Sequence, residues 1–140
     1  MNKLYLAGPL FATAQRKFNA ELAAELRKLG YGVFVPQDLD QVNMTQHDIF
    51  QADLVGLGWC EAVVAILDGA VLDSETCWEC GFAYTKKVIV AVQTDFRAGQ
   101  KGFPYNLMLS QSVDVTLQAD GLPIPVLAAK IRNFLMQLAG

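Results

Sequence analysis

At 140 residues, 53% hydrophobic and 18% charged, the chain has the size and balance of a single domain, spanning 1–140, that can bury a real core. A formal net charge of −3 with no Lys/Arg cluster argues against a polymeric nucleic-acid partner, and no apolar run approaches the roughly 20 residues of a membrane span. Three cysteines make no disulfide framework, and Met1-Asn2-Lys3 runs straight into a strand-like segment, so the expectation is a cytoplasmic domain without a signal peptide.

In chain order, Leu4-Tyr5-Leu6-Ala7 reads as a short buried strand stopped by Gly8-Pro9. From Thr13 to Leu29, Phe18, Leu22, Leu26 and Leu29 recur at helical spacing, and Gly30 is a C-terminal stop signal. Tyr31 to Val35 is a second apolar run, ended by Pro36-Gln37. Thr45 is placed to cap a helix running to about Trp59, with Ile49, Leu54 and Leu57 on its inner face. Ala62 to Leu67 is near-continuously apolar, as a strand covered on both faces should be. A helix is expected from about Glu75 to Lys86, then a strand over Val88–Val92 and a polar loop from Gln93 to Tyr105. A turn at Asn106–Ser110, a weaker strand over Val113–Leu117 and a helix marked by Leu127, Ile131, Phe134, Leu135 and Leu138 complete the chain.

Alternating strands and helices imply a parallel sheet with helices on both faces. Right-handed crossovers leave few topologies, and the expected one is a five-stranded, flavodoxin-like three-layer α/β sandwich of order 2-1-3-4-5. Ligands of such folds bind outside the carboxyl ends of the strands. The segments that follow strands here are Gly8-Pro9-Leu10-Phe11, Pro36-Gln37-Asp38, Asp68 to Ser74 and Gln93-Thr94-Asp95, which should converge at one edge.

Asp68, Asp73, Glu75 and Glu79 crowd one strand–loop–helix junction. Carboxylates repel, so a fold that gathers them usually has a use for them. Thr76-Cys77-Trp78-Glu79 fits a capping box, in which Glu79 would serve only the helix end. The functional reading makes Glu79 a nucleophile or base in the first helical turn, where the helix dipole favours its ionised form. Asp73 or Ser74 would be an N-cap. Asp68 follows a buried strand directly, where a ligand would lie, and paired carboxylates suit glycosyl transfer.

The pattern Asp68-Gly69-x-x-x-Asp73-Ser74-x-Thr76-x-x-Glu79-x-Gly81-x-Ala83-Tyr84 resembles the signature of the nucleoside 2-deoxyribosyltransferase family. Tyr5-Leu6-Ala7-Gly8-Pro9-Leu10-Phe11 and Thr94-Asp95-Phe96-Arg97 are similar to it as well, so that the likeness runs from about Lys3 to Val115. It implies exchange of the base on a 2'-deoxynucleoside through a covalent deoxyribosyl-enzyme. Glu79 would attack C1', Asp73 would bind sugar hydroxyls, and Asp68 would pass a proton to the departing base. Tyr5 would touch the nucleophile or sugar, and Gln37 would face the base edge. Gly8, Pro9, Phe11 and Ser74 would join the substrate site. Asn106-Leu107-Met108 resembles the family's Asn-x-Met segment, which binds the 5' end of the sugar in a neighbouring subunit, so a homo-oligomer with shared sites is implied. Glu75 departs from the glycine the family often carries there, and at four residues before Glu79 would raise its pKa by like-charge repulsion.

Cys77-x-x-Cys80 has redox spacing but lies in the wrong structural context for it, so the expectation is inert thiols. His47 is read as a solvated helix residue. Trp59, Trp78, Phe82 and Tyr84 are read as core, with Phe11 and Trp59 as alternative walls of a base pocket. The loop after the first strand is a poor phosphate cradle, which favours an unphosphorylated nucleoside, with Arg16 as a point against. The expected activity is therefore retaining transfer of 2-deoxyribose between free nucleobases, with no metal or organic cofactor. The alternatives are an N-glycosidase on deoxynucleosides or their 5'-monophosphates and a non-catalytic nucleotide-binding domain.

Overall fold

A computed structural model describes residues 1–99 and 106–140. The chain alternates β1 (Lys3–Ala7), α1 (Thr13–Lys28), β2 (Gly32–Phe34), α2 (Gln46–Trp59), β3 (Ala62–Ile66), α3 (Ser74–Ala83), β4 (Val88–Gln93), α4 (Leu107–Ser112), β5 (Val115–Gln118) and α5 (Ile124–Ala139). The strands form one parallel sheet of order β2-β1-β3-β4-β5, as the sequence pattern predicts. No helix among the described residues is long and apolar enough to cross a membrane.

Side-chain alternation in the three central strands builds two cores. Leu4, Leu6, Val64, Ile66, Val90 and Val92 face Leu22 and Leu26 of α1 and Leu127, Ile131 and Leu135 of α5. Tyr5, Ala7, Val63, Ala65, Ile89 and Ala91 face the opposite way, toward Leu57 of α2, Cys80 and Ala83 of α3, and Leu109 of α4. Both faces being covered explains why the strands read as continuous apolar runs. Ala7 pairs in register with Ala65, and Ala65 with Ala91. This row of three small residues lies at the carboxyl ends of the strands, on the face that α3 covers. Small side chains there let the helix backbone approach the sheet closely.

Helix ends follow local chemistry. α1 ends in a Schellman motif: Tyr31 N–H donates to the Leu26 carbonyl (3.2 Å) and Gly30 N–H to that of Arg27 (3.0 Å). Gly30 sits at φ +98°, a backbone region that suits glycine. Thr45 caps α2 as expected, its hydroxyl accepting from Asp48 N–H. α3 starts one residue earlier than predicted, because Asp73 rather than a later residue caps it. It stops at Ala83 rather than Lys86, where Lys86 and Lys87 N–H groups both turn back onto the Ala83 carbonyl. Val113 is not in β5; it closes α4, and the neighbouring Asp114 carboxylate accepts from Ile89 N–H at 2.8 Å. The expected turn at Asn106–Ser110 is the start of α4, capped by Asn106. In the expected loop from Gln93 to Tyr105, Phe96–Gly99 form a 3-10 turn and residues 100–105 lie outside the described residues.

α2 passes close to the sheet at Gly56, where an added Cβ would lie 2.8 Å from the Phe34 ring. That ring stacks on Tyr5 with centroids 5.2 Å apart and is not free to withdraw. Gly58, in the same helix, has nothing within 4 Å. Urea unfolding is expected to show Gly56→Ala destabilised by about 1–3 kcal/mol, whereas Gly58→Ala is neutral or stabilised by up to about 1 kcal/mol.

Candidate active site

At the carboxyl edge of the sheet lies a cleft of about 700 Å³. Its walls come from the loop after β1 (Gly8, Leu10, Phe11), the segment after β2 (Pro36, Gln41), the inner face of α2 (Ile49, Phe50, Asp53, Leu54, Leu57) and the first turns of α3 (Asp73, Glu75, Trp78, Glu79). A smaller cavity of about 240 Å³ lies at the opposite edge, among Met1, Asn2, Tyr31 and Arg132, away from the carboxylates.

Glu79 stands at the bottom of the chemistry. The hydroxyl of Tyr5, a residue with no exposed surface, donates a short hydrogen bond to Glu79 Oε2. Burial is the main force on both groups. It pushes Tyr5 far above the ordinary phenol value and pushes Glu79 up to about 7, with the charges of Asp53, Glu75 and Asp73 adding to the rise and the Tyr5 hydrogen bond opposing it. The capping-box reading of Glu79 does not hold, because Asp73 is the N-cap and accepts from Thr76 N–H (3.0 Å) and Thr76 Oγ1 (2.7 Å). Glu79 is thereby in the second turn. The helix dipole that was expected to favour its ionised form is outweighed by burial. The expected repulsion from Glu75 is present but is one of the smaller contributions.

Asp68 plays a different part from the one its position suggests. Its carboxylate accepts from Thr94 N–H (2.6 Å), Thr94 Oγ1 (2.5 Å) and Asp95 N–H (3.1 Å). The next residue, Gly69, has φ +97° and donates its N–H to Asp95 Oδ2, while Asp95 is bonded to Arg97 and held at about 2 by it. These bonds clasp the loop after β3 to the loop after β4. Asp68 is not among the cleft-lining residues.

Of the other expected site residues, Gly8 and Phe11 line the cleft and Pro9 does not. The Pro9 carbonyl accepts from buried Asn19, whose amide also donates to Gln37 Oε1 at 3.1 Å. Gln37 in turn donates to the Arg16 carbonyl, so both ends of its amide are held inside this network rather than in the cleft. The Arg16 guanidinium braces the same loop through the carbonyls of Leu10 and Phe11. Ser74 is an exposed first-turn residue. Asn106 caps α4, and Met108 is 75% exposed, away from this chain's cleft.

Trp59 does not wall the pocket; it packs beside Gly32 under Lys3, at the far edge of the sheet. Trp78, Phe82 and Tyr84 are not core either. Each is half exposed, Phe82 stacks on Trp78, and Phe50 meets Trp78 edge-on. Cys77 and Cys80 are free thiols whose pKa values burial raises, that of Cys80 to about 12. No group of three or more potential metal ligands occurs among the described residues.

Sequence reasoning missed Asp53. Its carboxyl lies in the cleft wall, raised to about 6 by burial and then by the charge of Glu75. The signal was present: Ile49, Asp53 and Leu57 repeat every four residues, which puts a carboxylate in the middle of the face predicted to be apolar.

Residues 4–108 match the family model of nucleoside 2-deoxyribosyltransferases. The chain belongs to this family. The matched span runs from β1 into α4 and contains Tyr5, Asp68, Asp73, Glu79, Asn106 and Met108. No curated protein sequence matches the chain. Among solved structures, it is similar to a 2-deoxyribosyltransferase from Bacillus psychrosaccharolyticus, with 27% identity, a TM-score of 0.69 and coverage of 82% of this chain and 85% of the other. A conserved protein from Enterococcus faecalis V583 shares the fold at 24% identity and TM-score 0.78, covering 95% of this chain and 98% of its own. So does a CMP N-glycosidase from Clostridium botulinum at 17% identity and TM-score 0.67, with coverage of 95% and 99%.

The raised pKa of Glu79 carries a stability consequence. Between the ordinary glutamate value of 4.5 and about 7, the folded chain binds more protons than the unfolded one, so this group's contribution to stability falls as pH rises. Glu79→Gln removes that dependence. Thermal melts are expected to show little stability difference between the variant and the unsubstituted protein near pH 4.5, and an advantage to the variant that grows to as much as about 3 kcal/mol by pH 8.

Proposed function

We propose that this protein transfers 2-deoxyribose between nucleobases by a retaining double displacement, with Glu79 as the nucleophile. The observation that carries the reading is the Glu79 carboxyl, oriented by the Tyr5 hydroxyl in a cleft with room for a nucleoside. Glu79, in its ionised form, attacks C1' from one face as the first base leaves from the other. The incoming base then displaces Glu79 from the ester, and two inversions restore the original configuration. Tyr5 donates to the oxygen of Glu79 and holds the carboxyl in one orientation. Asp73 keeps one oxygen on the Thr76 cap and offers the other to sugar hydroxyls. Asp68, outside the cleft, steadies the loop that leads to Asp73 by clasping it to the loop after β4.

Apolar Phe11, Ile49, Phe50 and Leu54 suit the faces of a nucleobase. Four carboxylates in the lining repel a phosphate, which favours a free nucleoside over its 5'-monophosphate. The test is chromatography of the protein with deoxyinosine and free adenine, beside a tube without adenine. Deoxyadenosine is expected only when adenine is present, with kcat/KM rising with pH along a limb near 7, and Glu79→Ala is expected to lose at least about 10³-fold. Hypoxanthine released equally with and without adenine, and no new nucleoside, would make the protein an N-glycosidase instead.

We also propose that the active unit is a homo-oligomer in which Asn106 and Met108 enter a neighbouring copy's cleft. Leu107 and Met108 are each more than 70% exposed, and the Phe50–Trp78–Phe82 group presents aromatic surface beside the cleft. Sedimentation velocity is expected to show a dimer or larger species at assay concentrations; a monomer with full activity would remove this assignment.

A further inference from the structure

We propose that the cavity at the amino edge of the sheet, walled by Tyr31 and Arg132, is a binding site for a small organic monocarboxylate. The site is at the opposite edge from the cleft, and its occupancy is independent of the transfer reading above.

Chain order places the parts of this site. Asn2 precedes β1 and the turn ending at Tyr31 precedes β2, so the two stretches meet at the amino ends of neighbouring strands. Gly32 N–H donates to the Asn2 carbonyl (2.8 Å) and locks them together. α5 closes the remaining side with Arg132, Leu135 and Met136, which lie on one stripe of the helix. The enclosed space of about 240 Å³ falls below the range of about 300–1,000 Å³ usual for drug-sized ligands, so its occupant is smaller than a nucleoside.

Two donors are left unused there. Arg132 Nε is shut off from solvent without a partner, and the rest of the guanidinium makes no hydrogen bond or ion pair among the described residues. Tyr31 is only 9% exposed, and its hydroxyl likewise has no hydrogen-bond partner among the described residues. Burial raises the Tyr31 phenol and the Arg132 charge opposes that rise, so the two groups are near enough to act on one ligand. An arginine at this place could instead serve the end of α1, where the helix dipole is negative. The carbonyls of Leu26 and Arg27 are already taken by the N–H groups of Tyr31 and Gly30, which leaves the guanidinium without that use. A buried donor without an acceptor is costly, and one kept at the wall of a cavity is satisfied when a ligand arrives.

Charge and shape select the ligand. Arg132 is the only charged side chain among the described lining residues; Glu61 lies outside the lining and holds the N–H groups of Asn2 and Lys3. One guanidinium balances one negative charge, and its planar fork matches the two oxygens of a carboxylate. A phosphate dianion would keep a second charge uncompensated beside Leu29, Leu135 and Met136. Those apolar side chains suit the hydrocarbon body of an organic acid, and the Tyr31 hydroxyl supplies a further donor to its carboxylate.

The experiment titrates the isotope-labelled protein at neutral pH with butyrate, benzoate, butyramide and inorganic phosphate, and follows the backbone amide shifts. Butyrate and benzoate are expected to give saturable shifts at residues 29–32 and 132–139, with butyramide and phosphate at least about tenfold weaker. Arg132→Gln is expected to weaken butyrate binding at least about tenfold, and Arg132→Lys, which keeps the charge and loses Nε, by about threefold or more. The amide spectrum of each variant reports whether it is folded. Tyr31→Phe, expected to cost about two- to tenfold, carries the test where the arginine variants do not fold. Saturable shifts confined to the cleft, undiminished binding in the folded variants, butyramide or phosphate binding as tightly as butyrate, or no saturable shift with either acid would overturn the assignment. Base exchange is assayed separately, and its outcome does not depend on this site.

Discussion

The hydrogen bond from Tyr5 to Glu79 joins the middle of the sheet to the helix that covers it, and the architecture around it serves to keep it dry. Tyr5 points to the α2/α3 face because strand alternation sends Leu4 and Leu6 the other way. Phe34 stacks behind the phenol, and Gly56 lets α2 close over Phe34. On the other side, the row Ala7–Ala65–Ala91 lets α3 settle close enough for its second turn to reach the phenol. Larger residues in that row would lift α3 and part the two groups. Burying a carboxyl and a phenol together is expensive in either charge state, and each relieves the other: the phenol is the donor and the carboxylate the acceptor.

A second constraint follows from charge. The cleft wall carries Asp53, Asp73, Glu75 and Glu79, and no Lys or Arg is among its described residues. Arg16 and Arg97, which the sequence places near the strand ends, are used on the loops themselves, Arg16 on the carbonyls of Leu10 and Phe11 and Arg97 on Asp95. Such a wall adds to the rise in proton affinity that burial gives its members, Glu79 near 7 and Asp53 near 6. On the proposed reading, the positive charge that develops on the sugar ring in the transition state supplies the missing counter-charge. That interaction is strongest when the glycosidic bond is partly broken and weak with the neutral substrate, which is the condition for an interaction to accelerate a reaction rather than merely bind.

How much was legible depended on how local the cause was. The strands and the order of the sheet follow from apolar runs and glycine or proline stops, and the Thr45 and Gly30 helix ends from capping chemistry. The junction of Asp68, Asp73 and Glu79 was visible as a cluster, but the role of each carboxylate was not. Asp73 and Thr76 are equally plausible caps in sequence, and only the chosen cap fixes whether Glu79 falls in the first turn or the second. Asp68 looks free until the loop after β4, twenty-six residues later, brings Thr94 and Asp95 to it. Gln37 looks like a base-facing amide until Asn19 and Arg16 occupy both its ends. Trp59 and Trp78 differ in place because Trp59 is the last residue of α2, beside Gly32 and Lys3, whereas Trp78 lies in the part of α3 that lines the cleft. Long-range hydrogen bonds decided Asp68 and Gln37, and a local one to Thr76 decided Asp73.

Those cases share a physical rule about where chemistry is left available. A carboxylate on a loop at a strand end stands next to unpaired backbone N–H groups, and it is drawn into satisfying them, Asp68 those of the loop after β4 and Asp73 that of the first turn of α3. A carboxylate on the inner face of a helix has no such neighbours, because the helix backbone bonds to itself. It must find a side chain, as Glu79 finds Tyr5, or stay unpartnered, as Asp53 Oδ1 does. In this fold the loop carboxylates thus tie down the loop and the helix end at the carboxyl edge of the sheet, and Glu79 and Asp53, on helices that wall the cleft, keep raised pKa values.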